Sequence, residues 1–385
     1  MSADIFSIET ESWMLDPTIT YLNHGSFGAR VRSVFEFQLE LKRELERDPV
    51  DFLDRQQGNL ENARKVVSAF LGADSEGFGF VDNATTGIGC VVNSIQFEPS
   101  DEILTTSLVY NGVRQLLTRS AEDAKCSYRE VHIDLPVNTT EDVYCTVVDS
   151  VTSSTKLLVI DHVSSASSVI FPVHKIARFC RENGVLLVVD GAHAPGMLEL
   201  NIDAVGADWY VGNLHKWVCA PIGAGFVWAS ISKRASTHPL VVSHFYGQGL
   251  TREFDWQGTK DVTAWITSAE AVRWGDSIGW KSIQKQNNTL ALWMQTQLVE
   301  AWNVEPLTPQ CGSMVGSMAT VPLPSGCPNT FEDCLAFRNR LYEEYQIEVP
   351  IFELYGRGMV RVSAQLYSNK SHLTCLIRAI HDICN

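Results

Sequence analysis

The chain has 385 residues, 45% of them apolar and only 19% charged. That length allows two or three domains with a sizeable core, and a charged share below the usual ~25% places much of the chain in the interior. Lys and Arg number 30 against 45 Asp and Glu, a net charge of -15, which argues against nucleic acid as main partner and leaves any anionic ligand to a local site.

Met1–Asp16 holds Asp4, Glu9, Glu11 and Asp16 and no Arg, so it reads as neither a signal nor a transit peptide. Ser33–Arg47 is an amphipathic helix ended by Asp48-Pro49. Glu61–Leu71 predicts a second helix with Gly72 at its C-cap. Short apolar runs follow at Gly79–Val81, Glu102–Thr105, Lys156–Ile160, Val185–Val189 and Trp209–Val211. Helical stretches such as Gly87–Ile95, Tyr110–Glu122 and Val173–Asn183 lie between them. LLVI at Leu157–Ile160 and VLLVV at Val185–Val189 have no polar face. Strands buried on both sides belong to parallel sheets covered by helices, so the pattern predicts an α/β fold of βα units to about residue 265.

The longest uncharged run, Trp217–Ser232, is interrupted by Pro221, Gly223 and Gly225 and is too short to span a bilayer, so no membrane partner is expected. Beyond Val262 come helical patterns at Ala264–Gly275 and Trp280–Trp302, then a Pro/Gly/Ser/Cys-rich stretch at Thr308–Asn329. A helix near Phe331–Tyr345 and strands at Ile347–Pro350 and Met359–Ser363 complete a smaller α+β part. Ten cysteines show no C-x-x-C pair and no zinc spacing, which predicts a reduced cytoplasmic chain with buried thiols and no metal site.

In an open parallel sheet, ligands bind at the carboxyl ends of strands. Val81-Asp82-Asn83-Ala84-Thr85-Thr86-Gly87 places two hydroxyls and free amides at a helix N-terminus, a local phosphate site in an acidic protein; an ordinary capping threonine has the same signature. Asp161-His162 and Asp190-Gly191-Ala192-His193 each follow an apolar strand. Gly212-Asn213-Leu214-His215-Lys216-Trp217 puts a lysine just past another strand end. A partly desolvated lysine has a lowered pKa and forms a Schiff base with a carbonyl. A phosphate at Thr85 and Thr86, a carboxylate offered by Asp190 to a protonated ring nitrogen, and an imine at Lys216 together match pyridoxal 5′-phosphate (PLP).

NATTGIG (Asn83–Gly89), DHVSS (Asp161–Ser165), VVDGAHAPG (Val188–Gly196), GNLHKW (Gly212–Trp217), WQGTKD (Trp256–Asp261) and MVRVS (Met359–Ser363) resemble the class V aminotransferase-like family of PLP enzymes. YLNHGSFGA (Tyr21–Ala29) and DPVDFLDR (Asp48–Arg55) are similar to its isopenicillin N epimerase-like group. The resemblance implies fold type I: a large PLP-binding domain at 26–265 with a mostly parallel, seven-stranded-type sheet, and a smaller α+β domain at 266–385. Residues 1–25 would contribute to the small domain and the site.

The resemblance implies that Lys216 is the Schiff-base lysine and proton shuttle, that Asp190 pairs with the ring nitrogen and that His193 approaches the phenolic oxygen. It places Thr85, Thr86 and His215 on the phosphate with help from Asn213, and Tyr110 on the ring face. Asp161 joins the cofactor set, and Thr259 would reach the phosphate of a second subunit, implying a homodimer with a shared active site. Arg361 would clamp the carboxylate of a small amino-acid substrate, with Asn23 and His24 lining the substrate side. Trp217, Tyr246 and Trp256 hint at a sizeable or apolar substrate part.

A desulfurase of this family needs a cysteine shortly before the carboxylate arginine, and Pro350–Val360 has none. Amino-acid epimerase (isomerase) chemistry is the first expectation, with His24, Tyr110 or a water as second acid/base opposite Lys216. The alternative is a carbon–sulfur β-lyase acting on a cysteine derivative or its sulfoxide, of the cysteine lyase or hercynylcysteine sulfoxide lyase type, which needs only Lys216. Nothing in the sequence points to transamination.

Overall fold

The computed structural model describes residues 12–309 and 312–384. The first half runs β1 (Thr20–Tyr21), α1 (His24–Phe27), α2 (Arg32–Arg47), α3 (Pro49–Leu71), β2 (Phe78–Val81), α4 (Ala84–Asn93), β3 (Glu102–Thr106), α5 (Asn111–Ala124), β4 (Ser127–Val131), α6 (Thr140–Val148), β5 (Thr155–Asp161), α7 (Val173–Asn183) and β6 (Leu186–Gly191). Then come α8 (Ile202–Val205), β7 (Trp209–Asn213), β8 (Gly225–Ala229), α9 (Leu250–Asp255), α10 (Thr263–Ile278), α11 (Trp280–Trp302), β9 (Met318–Pro322), α12 (Phe331–Tyr345), β10 (Ile347–Glu348), β11 (Ile351–Leu354), β12 (Arg357–Ser363) and α13 (Lys370–Cys384).

α3 begins a full three turns before the expected start at Glu61. Asp48 ends α2 and also caps α3, its side chain accepting from the Asp51 amide, with Pro49 in the first turn. Proline there loses no helical hydrogen bond, so one Asp-Pro pair both stops one helix and starts the next. Gly72 closes α3 in the left-handed region at φ 60°.

Seven strands form one sheet in the order β2-β8-β7-β6-β5-β3-β4. β8 runs antiparallel to both β2 and β7, and the other pairs are parallel. The fold is thus α/β with a mostly parallel sheet covered by helices. β4 follows β3 on one side and β5, β6 and β7 follow on the other, so the strand order changes direction between β3 and β5, where ligand crevices open. β5 and β6 carry wholly buried cores such as Leu157–Ile160 and Leu187–Val189.

Two strands of this sheet are absent from the expected list. β4 (SYREV) is an edge strand with an exposed end and three half-buried residues, so no apolar run marks it. β8 lies inside the uncharged run whose glycines read as breaks. A second sheet, β11-β12-β9, is antiparallel, and β1 pairs in parallel with β10, tying the N-terminal segment to the C-terminal part. We propose the division 1–25, 26–265 and 266–385 with one shift: α10 and the start of α11 go with the large part. Trp265, Val272 and Ile283 pack into the core under the large sheet, whereas Leu290, Met294 and Leu298 pack with the small sheet.

Cysteine pairing departs from the expectation of free thiols. Cys327 and Cys384 form a disulfide across 57 residues, because α13 carries its last turn back to the loop before α12, a meeting no local spacing reveals. Cys90, Cys180, Cys219 and Cys334 are buried free thiols. Among the described residues no helix is long and apolar enough to cross a membrane.

Candidate active site

The carboxyl ends of β5, β6 and β7 and the N-terminus of α4 converge on a cavity of about 630 Å³. Asp161, Asp190, His193, Asn213, His215, Lys216, Thr85, Thr86, Tyr110 and Arg361 all line it. Strand register explains part of this: Asp161 lies opposite Asp190, and Asp190 opposite Val211, so β5 and β6 end level and deliver two carboxyls side by side.

Lys216 sits on the cavity floor, its Nζ 3.0 Å from His193 Nε2. Burial, and secondarily the Arg361 charge, push its amine down to about 7. His193 is neutral, its pKa held well below the usual value by burial and the Lys216 charge. Above pH 7 the Lys216 amine is therefore largely unprotonated while ordinary lysines stay charged. The expected result is that reductive trapping of Lys216 by a small aldehyde accelerates as pH rises through about 7 and then levels off, read by peptide mass spectrometry.

The loop carrying Lys216 is held from behind. His24 is fully buried and bonds Tyr367 Oη through Nδ1 (3.0 Å) and the Lys216 carbonyl through Nε2 (3.0 Å). A carbonyl only accepts, so the proton is on Nε2, and burial lowers the pKa to about 3. Arg30 Nη1 donates to the neighbouring His215 carbonyl at 3.0 Å. Gly28, at φ 71°, lets the N-terminal segment come this close, since a Cβ there would lie 2.1 Å from the His215 oxygen.

Two expectations change here. Asn23 and His24 do not line the cavity; Gly25, Ser26 and Phe27 do. α1 turns the two earlier side chains inward, where Asn23 Nδ2 donates to Glu348 Oε1 (2.7 Å) and Asn23 Oδ1 accepts from Ser26 Oγ (2.5 Å). Trp217, Tyr246 and Trp256 are likewise off the cavity wall. Trp217 is in the core against His24, while Tyr246 is exposed.

The two carboxyls differ. Asp190 Oδ1 accepts from the Ala192 amide at 2.9 Å, whereas Asp161 Oδ2 is buried with no partner. Burial raises both pKa values, and the Asp190 charge pushes Asp161 further, well above the carboxylate range. Asp161 therefore holds the proton and Asp190 the charge. Tyr210 Oη and His162 Nδ1 bond at 2.7 Å beneath this pair.

At the N-terminus of α4, the Ala84 amide donates to Asn213 Oδ1 (2.8 Å) and the Thr86 amide to Asn83 Oδ1 (2.9 Å). Asn213 thus fixes the helix end against β7 rather than offering that oxygen to a ligand. Thr85 and Thr86 line the cavity at this positive helix end, the Thr86 hydroxyl also donating to Asn83 Oδ1 at 3.2 Å. His215 Nδ1 donates to the Ala224 carbonyl (3.1 Å), leaving Nε2 to take a proton when an anion arrives; without one, burial lowers its pKa to about 4.

Across the cavity, Arg361 on β12 donates from Nη1 to Ser165 O (2.7 Å) and Ser165 Oγ (3.0 Å), and from Nη2 to Ser26 Oγ (3.0 Å). Its Nε is buried without a partner. Burial lowers its pKa only to about 10, so it is a cation at neutral pH facing neutral oxygens. Ser26, Ser165 and Arg30 were not singled out from the sequence, although all three lie in or beside the motifs NHGS and DHVSS; their geometry depends on contacts distant in the chain. Thr259 is exposed and off the cavity wall of its own chain, next to Lys260, which pairs with Asp82 at 2.6 Å.

A model of the aminotransferase class-V family matches residues 34–340. An isopenicillin N epimerase of Amycolatopsis lactamdurans is 28% identical, covering 100% of both chains. An L-cysteine desulfhydrase of Arabidopsis thaliana is 29% identical over 95% of this chain and 88% of that protein. A solved structure of a C-DES mutant with glycine covalently linked to the PLP cofactor superimposes with a TM-score of 0.82, at 18% identity, over 95% of this chain and 97% of that one.

Proposed function

The chain belongs to the aminotransferase class-V family, and from that membership and the cavity we propose that it removes the α-proton of an amino acid with Lys216 as base. It is a PLP-dependent enzyme. The residues present fit that cofactor. A helix N-terminus bordered by Thr85 and Thr86 suits the phosphate, a carboxyl pair of which Asp190 carries the charge suits the ring nitrogen, and a near-neutral lysine suits the carbonyl. When bound, the cofactor draws off the electron pair left at Cα after a bond there breaks.

The observation that carries the reading is Arg361: a buried fork of donors with no acidic partner, facing the Lys216 amine across the same cavity. Arg361 binds the substrate carboxylate, Ser26 and Ser165 orient it, and His24 and Arg30 hold the Lys216 loop at a fixed height. Lys216 takes the α-proton, and the neutral His193 beside it, whose Nδ1 accepts from Trp217 Nε1, donates from Nε2 to the lysine amine.

Isopenicillin N epimerase-like epimerisation is the first reading, since the epimerase resemblance covers the whole chain. It needs an acid on the opposite face. With His24 sealed behind the wall, Tyr110, 50% exposed at the rim, is the side chain in place for that. The same sealing favours a second reading, carbon–sulfur β-elimination, which requires no opposing acid. Incubation with single amino acids in D2O separates them. Deuterium at Cα with inversion supports epimerisation, pyruvate with ammonia and released sulfur supports the lyase, and neither product with any amino acid overturns both.

We also propose a homodimer. Phe27 and Ile222 at the cavity rim are 64% and 69% exposed. An apolar rim of this kind asks for cover, and exposed Thr259 is free to reach a second subunit. A sedimentation mass of one chain would count against it.

A further inference from the structure

A second cavity, of about 570 Å³, adjoins the first and shares Tyr110, Ser165 and Arg361 with it. One wall is Leu108 and Val109, after β3; the other is Phe352 and Leu354 on β11. The two-residue hairpin turn at Tyr355-Gly356 has both φ values positive, 52° and 74°, the geometry of a tight, twist-matched hairpin. Its tip is pinned across the cleft: Tyr355 Oη donates to Ile133 O at 3.2 Å and accepts from Ser107 Oγ at 2.5 Å. The wall is thus preformed rather than a loose flap. Of the charged side chains on its walls besides Arg361, Arg114 is neutralised by Glu130 at 2.7 Å and Glu353 is turned to the hairpin, its Oε1 accepting from the Gly356 amide.

We propose that this second cavity receives the side chain of the amino-acid substrate, and that the substrate carries a bulky, largely apolar substituent, larger than that of cysteine. The inference rests on the reading that Arg361 holds the α-carboxylate. Arg361 and Ser165 stand at the border of the two cavities, so a carboxylate seated there and an α-carbon over Lys216 leave the side chain to pass Tyr110 into the second space. That space has the volume of a whole small-ligand pocket, far more than a thiol fills. Leu108, Val109, Phe352 and Leu354 give it apolar walls, which reward apolar area rather than a charged tip.

The test uses the PLP-loaded protein and three probes: L-alanine, L-cysteine and S-benzyl-L-cysteine. Cα deuterium uptake gives kcat/KM for each, and calorimetry gives each dissociation constant. The wild type is expected to prefer S-benzyl-L-cysteine over L-alanine by about tenfold or more, the discrimination typical of filling an apolar pocket. Leu354→Trp fills the cavity and should collapse that ratio toward one. Phe352→Trp, at a half-exposed position, should do the same if the first variant fails to fold. A wild type that prefers L-alanine, or variants that keep the wild-type ratio, overturns the subsite. If no probe exchanges its α-proton yet calorimetry shows the size preference and its loss, the proton-removal reading fails and the subsite stands.

Discussion

Lys216→Ala is expected to slow α-proton exchange by about 10⁴-fold, the upper end of what a positioned general base supplies. The reason is geometric. His193 Nε2 is 3.0 Å from the lysine amine, but His193 is buried and carries a pKa well below its usual value, so it cannot take over as a base of useful strength. Asp161 and Asp190 stand at the strand ends, where Asp161 already holds its proton and Asp190 accepts from the Ala192 amide. Truncation leaves the α4 N-terminus, its threonines and His215 intact, because the hydrogen bonds that hold them run to Asn213, Asn83 and the Ala224 carbonyl and not to the lysine side chain. The variant should therefore still bind PLP reversibly, with the cofactor removable by dialysis and no covalent adduct after borohydride. Exchange within tenfold of wild type would remove Lys216 from the role of base. Loss of both exchange and PLP affinity with a lowered melting temperature would report a structural role instead.

The sheet was legible where chemistry and burial coincide along the chain. β5 and β6 are apolar on both faces because helices cover both, and their terminal aspartates follow from the rule that strand ends carry ligands. β4 was not legible, since an edge strand need not be apolar, and β9 hid in a stretch rich in Pro, Gly and Ser. β1 could not be foreseen at all: Thr20 pairs with Ile347, a contact across most of the chain. The same holds at the cavity. Thr85, Asp161, Asp190, His215 and Lys216 are brought together by strand register, which a sequence implies once the strands are found. Whether Asn23 and His24 face the cavity or its back is decided by one turn of α1 and by Gly28 meeting the His215 carbonyl. The lysine loop thus owes its position to the N-terminal segment, through His24 and Arg30. Only tertiary packing shows that.

Arg361→Ala should raise KM for an amino-acid substrate roughly 30- to 3,000-fold, the range corresponding to about 2–5 kcal/mol for a buried, hydrogen-bonded charge contact at ~1.4 kcal/mol per decade. Arg361→Lys should recover only part of this, because an ammonium cannot grip both carboxylate oxygens in the fork that Ser26 and Ser165 hold in place. Stability gives the sharper signature. The guanidinium is buried with neutral partners alone, and burial has already lowered its pKa toward 10. A buried cation without an anion costs the fold free energy until a ligand supplies the charge. Removing it should leave the melting temperature of the ligand-free protein unchanged or higher, while wild type alone gains stability when an amino acid is added. An arginine that served packing would behave in the opposite way, with a lowered melting temperature and an unaltered KM. Arg361→Ala protein that melts early and binds substrate normally would therefore place the carboxylate elsewhere and leave this buried charge a purely structural cation.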